Sequence, residues 1–233
     1  MCGRFTLTAS PDELQQAFPW LTLPQADDAI PPRYNIAPSQ PIAVVPNTDE
    51  NKLDYFLWGL IPFWAKDPKI GPRLINARGE TLTEKPSFKA AFKYRRCLIL
   101  TDGFYEWQHK TRTPYYIRMK SGKPFAFAGI WERWQSPDGS EILSSAIITT
   151  QPNKLLAPIH KRMPVILRSS DYTQWLTPGE TSPNELDRLL VPFPVPEEMQ
   201  AYPVSTQVNN PRNDNAGCVQ PAPQYRQETF LDK

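Results

Sequence analysis

Cysteine at position 2 is where this sequence first offers chemistry. Removal of Met1, favoured when the next residue is small, would leave Cys2 with a free α-amine and a thiol on adjacent carbons. The α-amine titrates at about 8, so part of it is neutral at pH 7, unlike a lysine at about 10.4. The thiol titrates at about 8.5 and falls in a basic setting. An aldehyde can react with both groups: the amine gives a Schiff base, and the thiolate then closes a five-membered thiazolidine. The competing reading is a cysteine without a role at a frayed terminus. Gly3, which lets another backbone come close, and Arg4, whose fork suits a phosphate, shift the balance toward chemistry.

Three further residues could move protons or orient a substrate. Glu106 lies in Asp102-Gly103-Phe104-Tyr105-Glu106-Trp107. Aromatic flanks on a strand strip water from a carboxylate and raise its pKa toward the range useful for acid/base work. A cross-strand partner for a basic side chain is the other reading. His160, in Pro158-Ile159-His160-Lys161-Arg162-Met163-Pro164, either shuttles protons near neutrality or is a satisfied structural histidine. His109, in a Lys/Thr/Arg turn, is most simply exposed. Asn76 could hold a carbonyl or hydroxyl, although turn residue is the commoner role. There is no metal-ligand spacing, no G-x-S-x-G, no P-loop and no dinucleotide fingerprint, so neither metal nor cofactor is expected.

Charge is informative locally. The formal net charge is +2, yet residues 61–123 carry fourteen Lys/Arg against five Asp/Glu. Lys66, Lys69, Arg73, Arg78, Lys85, Lys89, Lys93, Arg95 and Arg96 are interleaved with Trp58, Phe63, Trp64, Phe88 and Phe92. Cations beside aromatic platforms suit a single-stranded nucleic acid; a solvated basic face is the plainer reading. A conventional protease built on Cys2, His160 and Glu106 would need an oxyanion hole and a peptide groove, which the sequence does not advertise. A non-covalent reader of modified or damaged DNA would need the arginines and aromatics, but not a freed Cys2.

These residues need a scaffold. At 233 residues and 40% hydrophobic, the chain can bury a sizeable core, which excludes wholesale disorder. No apolar run is long enough to cross a membrane as a helix, and the N-terminus lacks the pattern of a secretory signal. Cys2, Cys97 and Cys218 are too few and too widely spaced for a disulfide framework, so a cytoplasmic setting is expected. Twenty-seven prolines argue for irregular connections and few long helices.

Ser10-Pro11-Asp12-Glu13 predicts a capped helix to about Phe18. Residues 19–41 are Pro-rich and are expected as loop. Strands are expected at 42–45, 53–58, 96–101, 104–108, 115–119, 125–131, 142–150 and 163–167, with 59–83 irregular. Short helices are expected at 86–94, 169–176 and 182–190, the last opened by a second capping box, Ser182-Pro183-Asn184-Glu185. The expectation is one α+β domain over residues 1–222 around a curled, largely antiparallel, barrel-like sheet, followed by a loose tail at 223–233.

Taken together, the motifs resemble those of the SRAP family, the SOS-response-associated peptidases. They are Met1-Cys2-Gly3-Arg4-Phe5, Arg33-Tyr34-Asn35-Ile36-Ala37-Pro38, Trp58-Gly59-Leu60-Ile61-Pro62, Ile75-Asn76-Ala77-Arg78-Gly79-Glu80-Thr81, Gly103-Phe104-Tyr105-Glu106-Trp107 and His160-Lys161-Arg162-Met163-Pro164. The resemblance runs over about residues 1–220. It implies binding to single-stranded DNA at an abasic site, often beside a duplex junction, and a stable thiazolidine crosslink to the terminal cysteine. It also implies an autoproteolytic activity that exposes that cysteine. On this resemblance Cys2 is the nucleophile, Asn76 orients the amine or sugar, and Glu106 and His160 transfer protons. Arg4, Arg78 and Arg162 would grip phosphates, Gly3 would contact the DNA, Pro38 and Thr149 would make backbone-near DNA contacts, and Trp64 would stack against the base beside the lesion. The implied protein is a monomer that meets no membrane. Where some members carry two adjacent wedge aromatics, this sequence has Trp64-Ala65, with Phe63 on the other side.

Overall fold

The computed structural model describes residues 2–24, 30–48 and 50–223. In chain order its strands are β1 (Phe5–Leu7), β2 (Arg33–Ile36), β3 (Pro41–Pro46), β4 (Asp54–Trp58), β5 (Asn76–Arg78), β6 (Arg96–Thr101) and β7 (Gly103–Trp107). They continue with β8 (Pro114–Met119), β9 (Phe125–Gln135), β10 (Glu141–Thr150), β11 (Met163–Pro164), β12 (Ile166–Leu167) and β13 (Met199–Pro203). The helices α1 (Pro11–Ala17), α2 (Lys89–Tyr94), α3 (Tyr172–Trp175) and α4 (Pro183–Asp187) are all short.

Strands β10, β4, β3, β6 and β9 pair in that order, and β9 pairs back onto β10, closing a five-strand ring. Closure leaves these strands without a free edge. Within the ring the β10–β4 pair is parallel and the others are antiparallel. β5 and β11 are added to β10, and β12 to β9. A second sheet runs β13-β8-β7-β1-β2. This is the expected α+β architecture. β6 is buried along its whole length, as a run apolar on both faces requires.

The two sheets meet through aromatic rings. Phe5 packs edge-on against Trp58 at 5.1 Å and Phe127 at 6.0 Å, and Phe104 meets Phe127 at 5.7 Å. Beyond β1, the buried Asp102 carboxylate takes up the Thr8 amide (2.5 Å), the Thr8 hydroxyl (2.6 Å), the Ala9 amide (2.9 Å) and the Thr6 hydroxyl. Ser10 and Glu13 form the expected capping box on α1.

Two motif glycines answer to close approach. Gly59 sits at φ +132°, and a Cβ there would be 2.7 Å from the Gly71 carbonyl oxygen. A Cβ on Gly103 would collide with the Tyr116 ring, whose hydroxyl meets Thr6 at 2.9 Å.

Several sequence expectations are corrected. Strands β1, β2, β5 and β13 were not anticipated, because three to five residues acquire strand geometry only from the neighbour that pairs with them. β5 interrupts the stretch expected as irregular, and β2 the stretch expected as loop. The 163–167 run is split at Val165 into two strands that pair with different partners. The second capping box does not form: Ser182 precedes α4 without a side-chain bond to its amides. Trp58, Phe88 and Phe92 are buried core rather than stacking platforms, whereas Phe63 and Trp64 are 58% and 48% exposed. The cationic run is partly consumed by the fold. Arg96 is fully buried on the carbonyls of Phe92, Lys93, Trp175 and Thr177 and the Thr181 hydroxyl. Arg95 pairs with Glu132 at 2.9 Å and Lys93 with Glu180 at 2.6 Å. Of the expected tail, residues 224–233 lie outside the described residues.

Gly103→Ala is expected to lower stability by about 1–3 kcal/mol, since neither the ring nor the buried strand can give way. Urea denaturation checks this; a loss below about 0.5 kcal/mol would mean that Tyr116 repacks freely.

Candidate functional site

The N-terminal residues reach the site by extending β1 along β7. Phe5 faces Phe104, Thr6 faces Gly103, and the Tyr105 amide donates to the Arg4 carbonyl at 2.9 Å. Continued by two residues, that register sets Gly3 beside Glu106. Cys2 is fully buried, with its Sγ 3.8 Å from the Arg4 carbonyl oxygen. Burial, and then the nearby Glu106 carboxylate, push its thiol well above the ordinary range. The thiol is therefore neutral at rest.

Asn76 opens β5, whose parallel register sets Asn76 opposite Ile147 and Arg78 opposite Thr149. The buried Trp58 indole donates to the Ile75 carbonyl at 2.9 Å and fixes the approach to that strand. The Asn76 amide nitrogen then donates to the Cys2 carbonyl at 2.8 Å. Its side-chain oxygen is buried with no hydrogen-bond partner among the described residues. An acceptor oxygen in that position is suited to a donor such as a terminal amine.

Glu106 is 2% exposed on β7, opposite Tyr115. Burial pushes its carboxyl up to about 7, so both protonation forms are populated near neutrality. His160 Nδ1 lies 3.8 Å from Glu106 Oε1. Partial burial lowers the imidazole pKa, which keeps the ring mostly neutral at pH 7. The His160 loop is held by backbone bonds: the His160 amide donates to Leu156 (2.9 Å) and the His109 amide to Ile159 (3.1 Å). His109 is thus exposed as expected, yet its main chain braces this loop.

Arg162 follows two residues later. Its amide lies 3.2 Å from His160 Nδ1 and its carbonyl 3.0 Å from the same nitrogen. Its guanidinium contacts the buried Thr149 and forms a two-pronged pair with Glu80 at 2.9 and 2.8 Å. Arg78 is exposed beside this pair, close enough for its charge to help hold the Glu80 carboxyl low after the stronger effect of Arg162. Arg4 places one nitrogen between the Asn35 side chain and the Val208 carbonyl, each at 2.7 Å, with its guanidinium 5.9 Å from the Trp107 ring.

The structure therefore gathers Cys2, Gly3, Asn76, Glu106 and His160 in one place, with Thr149 and Arg162 adjoining and Arg78 at the rim. Pro38 and Trp64 are not tied to this cluster by any hydrogen bond or ring contact among the described residues. Pro38 is half-buried and Trp64 stands on an exposed turn. Ala65 points inward beside Trp134, whose indole donates to the Ala65 carbonyl at 2.7 Å. The exposed ring next to Trp64 is thus Phe63.

Sequence reasoning missed Asn35 and Asp214. Asn35 donates to the carbonyls of Val208 (3.2 Å), Asn210 (3.1 Å) and Asn213 (2.7 Å). Asp214 accepts from the amides of Tyr34 and Asn35 and pairs with Arg33 at 2.5 Å. Together they dock residues 208–214 against Arg4. The only available signal was that Asn35 lies inside a motif; nothing local points to a partner 180 residues away.

The family described as SOS response associated peptidase (SRAP) matches residues 1–211. The chain belongs to the SRAP family. Among its relatives, the abasic site processing protein YoqW of Bacillus subtilis is 44% identical over 229 residues, covering 94% of this chain and 99% of that one. The abasic site processing protein HMCES of Xenopus tropicalis is 34% identical, covering 94% and 78%. A crystal structure of a Bacteroides thetaiotaomicron protein superposes with a TM-score of 0.84 at 29% identity, covering 95% of this chain and all of that one.

Because the folded-state pKa of Glu106 is raised, the folded protein keeps a proton that the unfolded chain loses between pH 4.5 and about 7. Stability should fall as pH rises through that window. Glu106→Gln removes the burden, so its stability gain over wild type should grow from pH 4.5 to 8, to a limit on the order of 3 kcal/mol. Denaturant midpoints at the two pH values check this; parallel profiles for the two proteins would place the titration elsewhere.

Proposed function

We propose that this SRAP protein captures abasic sites in single-stranded DNA as a covalent thiazolidine on Cys2 once Met1 has been removed. The observation that carries the reading is Cys2, pinned through its carbonyl by Asn76 and set beside a buried carboxyl that titrates near 7. Two relatives that match nearly the whole chain bear the name abasic site processing protein.

The reacting sugar is a closed hemiacetal until protons are moved. Glu106 and His160 shuttle them, and ring opening exposes the C1′ aldehyde. The neutral α-amine of Cys2, received by the Asn76 side-chain oxygen, attacks C1′. Water leaves with the help of protonated Glu106 and a Schiff base forms. The thiol then adds to the same carbon: the new bond is S–C1′, and the thiol proton ends on the nitrogen. The sum is amine, thiol and aldehyde to thiazolidine and one water, with no oxidant or reductant.

Two physical points favour this order. Burial keeps the thiol protonated, so the amine is the better first nucleophile. Ring closure is intramolecular, where effective molarity is high. In this reading the lesion is selected through shape, because a sugar without its base can approach Cys2 where a full nucleotide would be too bulky. Arg4, Arg78 and Arg162 supply cations for the DNA backbone, with Trp64 and Phe63 as exposed rings for neighbouring bases. Pro38 lies near the strand in this reading, whereas Thr149, expected to do so, is fully buried and bears on the strand only through Arg162. The peptidase in the family description corresponds to release of Met1. The proposed unit is residues 1–222, acting as a monomer in the cytoplasm or on the nucleoid, at single strands or their junctions with duplex.

Cys2→Ala should keep its affinity for single-stranded DNA and give no adduct with abasic DNA on a denaturing gel after heating. A heat-stable adduct at wild-type yield would end the proposal. Glu106→Gln and His160→Ala should slow single-turnover adduct formation by about a hundredfold or more with little loss of binding. An unchanged rate in either variant would remove that residue from the proton-transfer pair. Mass spectrometry of the purified protein should find Met1 absent; a retained Met1, or cleavage of unrelated peptides by the mature protein, counts against this chemistry.

A further inference from the structure

The guanidinium of Arg162 has five N–H bonds, and the fold already engages four. Nε meets the Thr149 hydroxyl at 3.2 Å, and one terminal nitrogen serves the Thr149 carbonyl (2.6 Å) and Glu80 (2.8 Å). The other terminal nitrogen meets Glu80 at 2.9 Å. The fork that would match two phosphate oxygens is therefore filled by a carboxylate. Thr149 cannot yield, because it is fully buried in β10 and paired on both sides, with Arg78 and with Pro164. Glu80 can. Its side chain is 45% exposed, and it sits on the three-residue turn Gly79–Thr81, where a long contact of 3.5 Å from Gln151 and the charge of Arg78 add weaker support.

We propose that Glu80 is a specificity-determining residue that holds the phosphate-facing fork of Arg162 until a DNA phosphate displaces it. This deepens the reading above and rests on it, since a polyanion must pass the rim of the Cys2 site. A strand that only grazes the protein meets a neutralised Arg162 and is held weakly. A strand seated at the site offers a phosphate at the right place and exchanges one anion for another. Part of the affinity of Arg162 is thus withheld from undamaged DNA in transit. The exchange also mutes salt dependence, because salt weakens the Arg162–phosphate pair but also the Arg162–Glu80 pair that it replaces.

The test is equilibrium binding of fluorescent single-stranded DNA to wild type, Glu80→Gln, Arg162→Gln and the double variant, across a salt series. Gln is isosteric with Glu, and thermal melting checks that each variant is folded. Glu80→Gln should tighten binding by about two- to fivefold at low salt and steepen the slope of log K against log salt by about 0.7. Both gains should vanish in the Arg162→Gln background. Weaker binding by Glu80→Gln would make Glu80 a support for Arg162 and overturn the inference. A gain that persists without Arg162 would be a field effect of one lost charge and would overturn it too. Wild type that fails to bind single-stranded DNA at all would remove the underlying reading and the inference with it. Wild type that binds while the variants match it sinks the inference alone.

Discussion

Three residues near a chain end do not hold a strand by themselves, because each ordered residue costs on the order of 1–2 kcal/mol in backbone entropy. β1 is held from two sides. Phe5 enters the seam between the sheets against Trp58 and Phe127, and the Asp102 carboxylate gathers donors from Thr6, Thr8 and Ala9. Asp102 immediately precedes β7, the strand that carries Glu106. One carboxylate therefore ties the strand that leads from Cys2 to the strand that carries Glu106. Trp58 joins the same arrangement from the ring, since its indole fixes Ile75 next to Asn76.

Burial then produces the electrostatics. It lifts the Glu106 carboxyl, lifts the Cys2 thiol and lowers the His160 imidazole, so all three groups are driven toward neutral forms. Desolvation penalises whichever form is charged. The chemistry proposed for this site, opening a sugar ring and building an imine, calls for groups that both accept and donate protons near pH 7. Removing much of the water from ordinary residues supplies that.

The cations divide into two populations that the sequence does not distinguish. Arg96 is a structural anchor, with five contacts to carbonyls and a hydroxyl inside the fold. Arg95 and Lys93 serve ion pairs, and Arg162 is shared between Thr149 and Glu80. Arg78 stands in solvent near the site. Three of the fourteen cations in residues 61–123 are thus engaged within the fold.

The class of fold and most strands of the ring were legible in the chain, as was the residue type at position 2. A cysteine at position 2 is written in the chain, and apolar runs such as 96–101 and 125–131 read as buried strands before any partner is known. The first capping box was legible because its partners are three residues apart. Tertiary structure decided what depends on distant neighbours: the short strands β1, β2, β5 and β13, the pairing of Arg162 with Glu80, and the docking of residues 208–214 through Asn35. It also decided which aromatics face water, separating Phe63 and Trp64 from the buried Trp58, Phe88 and Phe92. Local sequence carries propensity and periodicity; exposure and charge pairing are properties of the assembled surface, so only the folded chain could settle them.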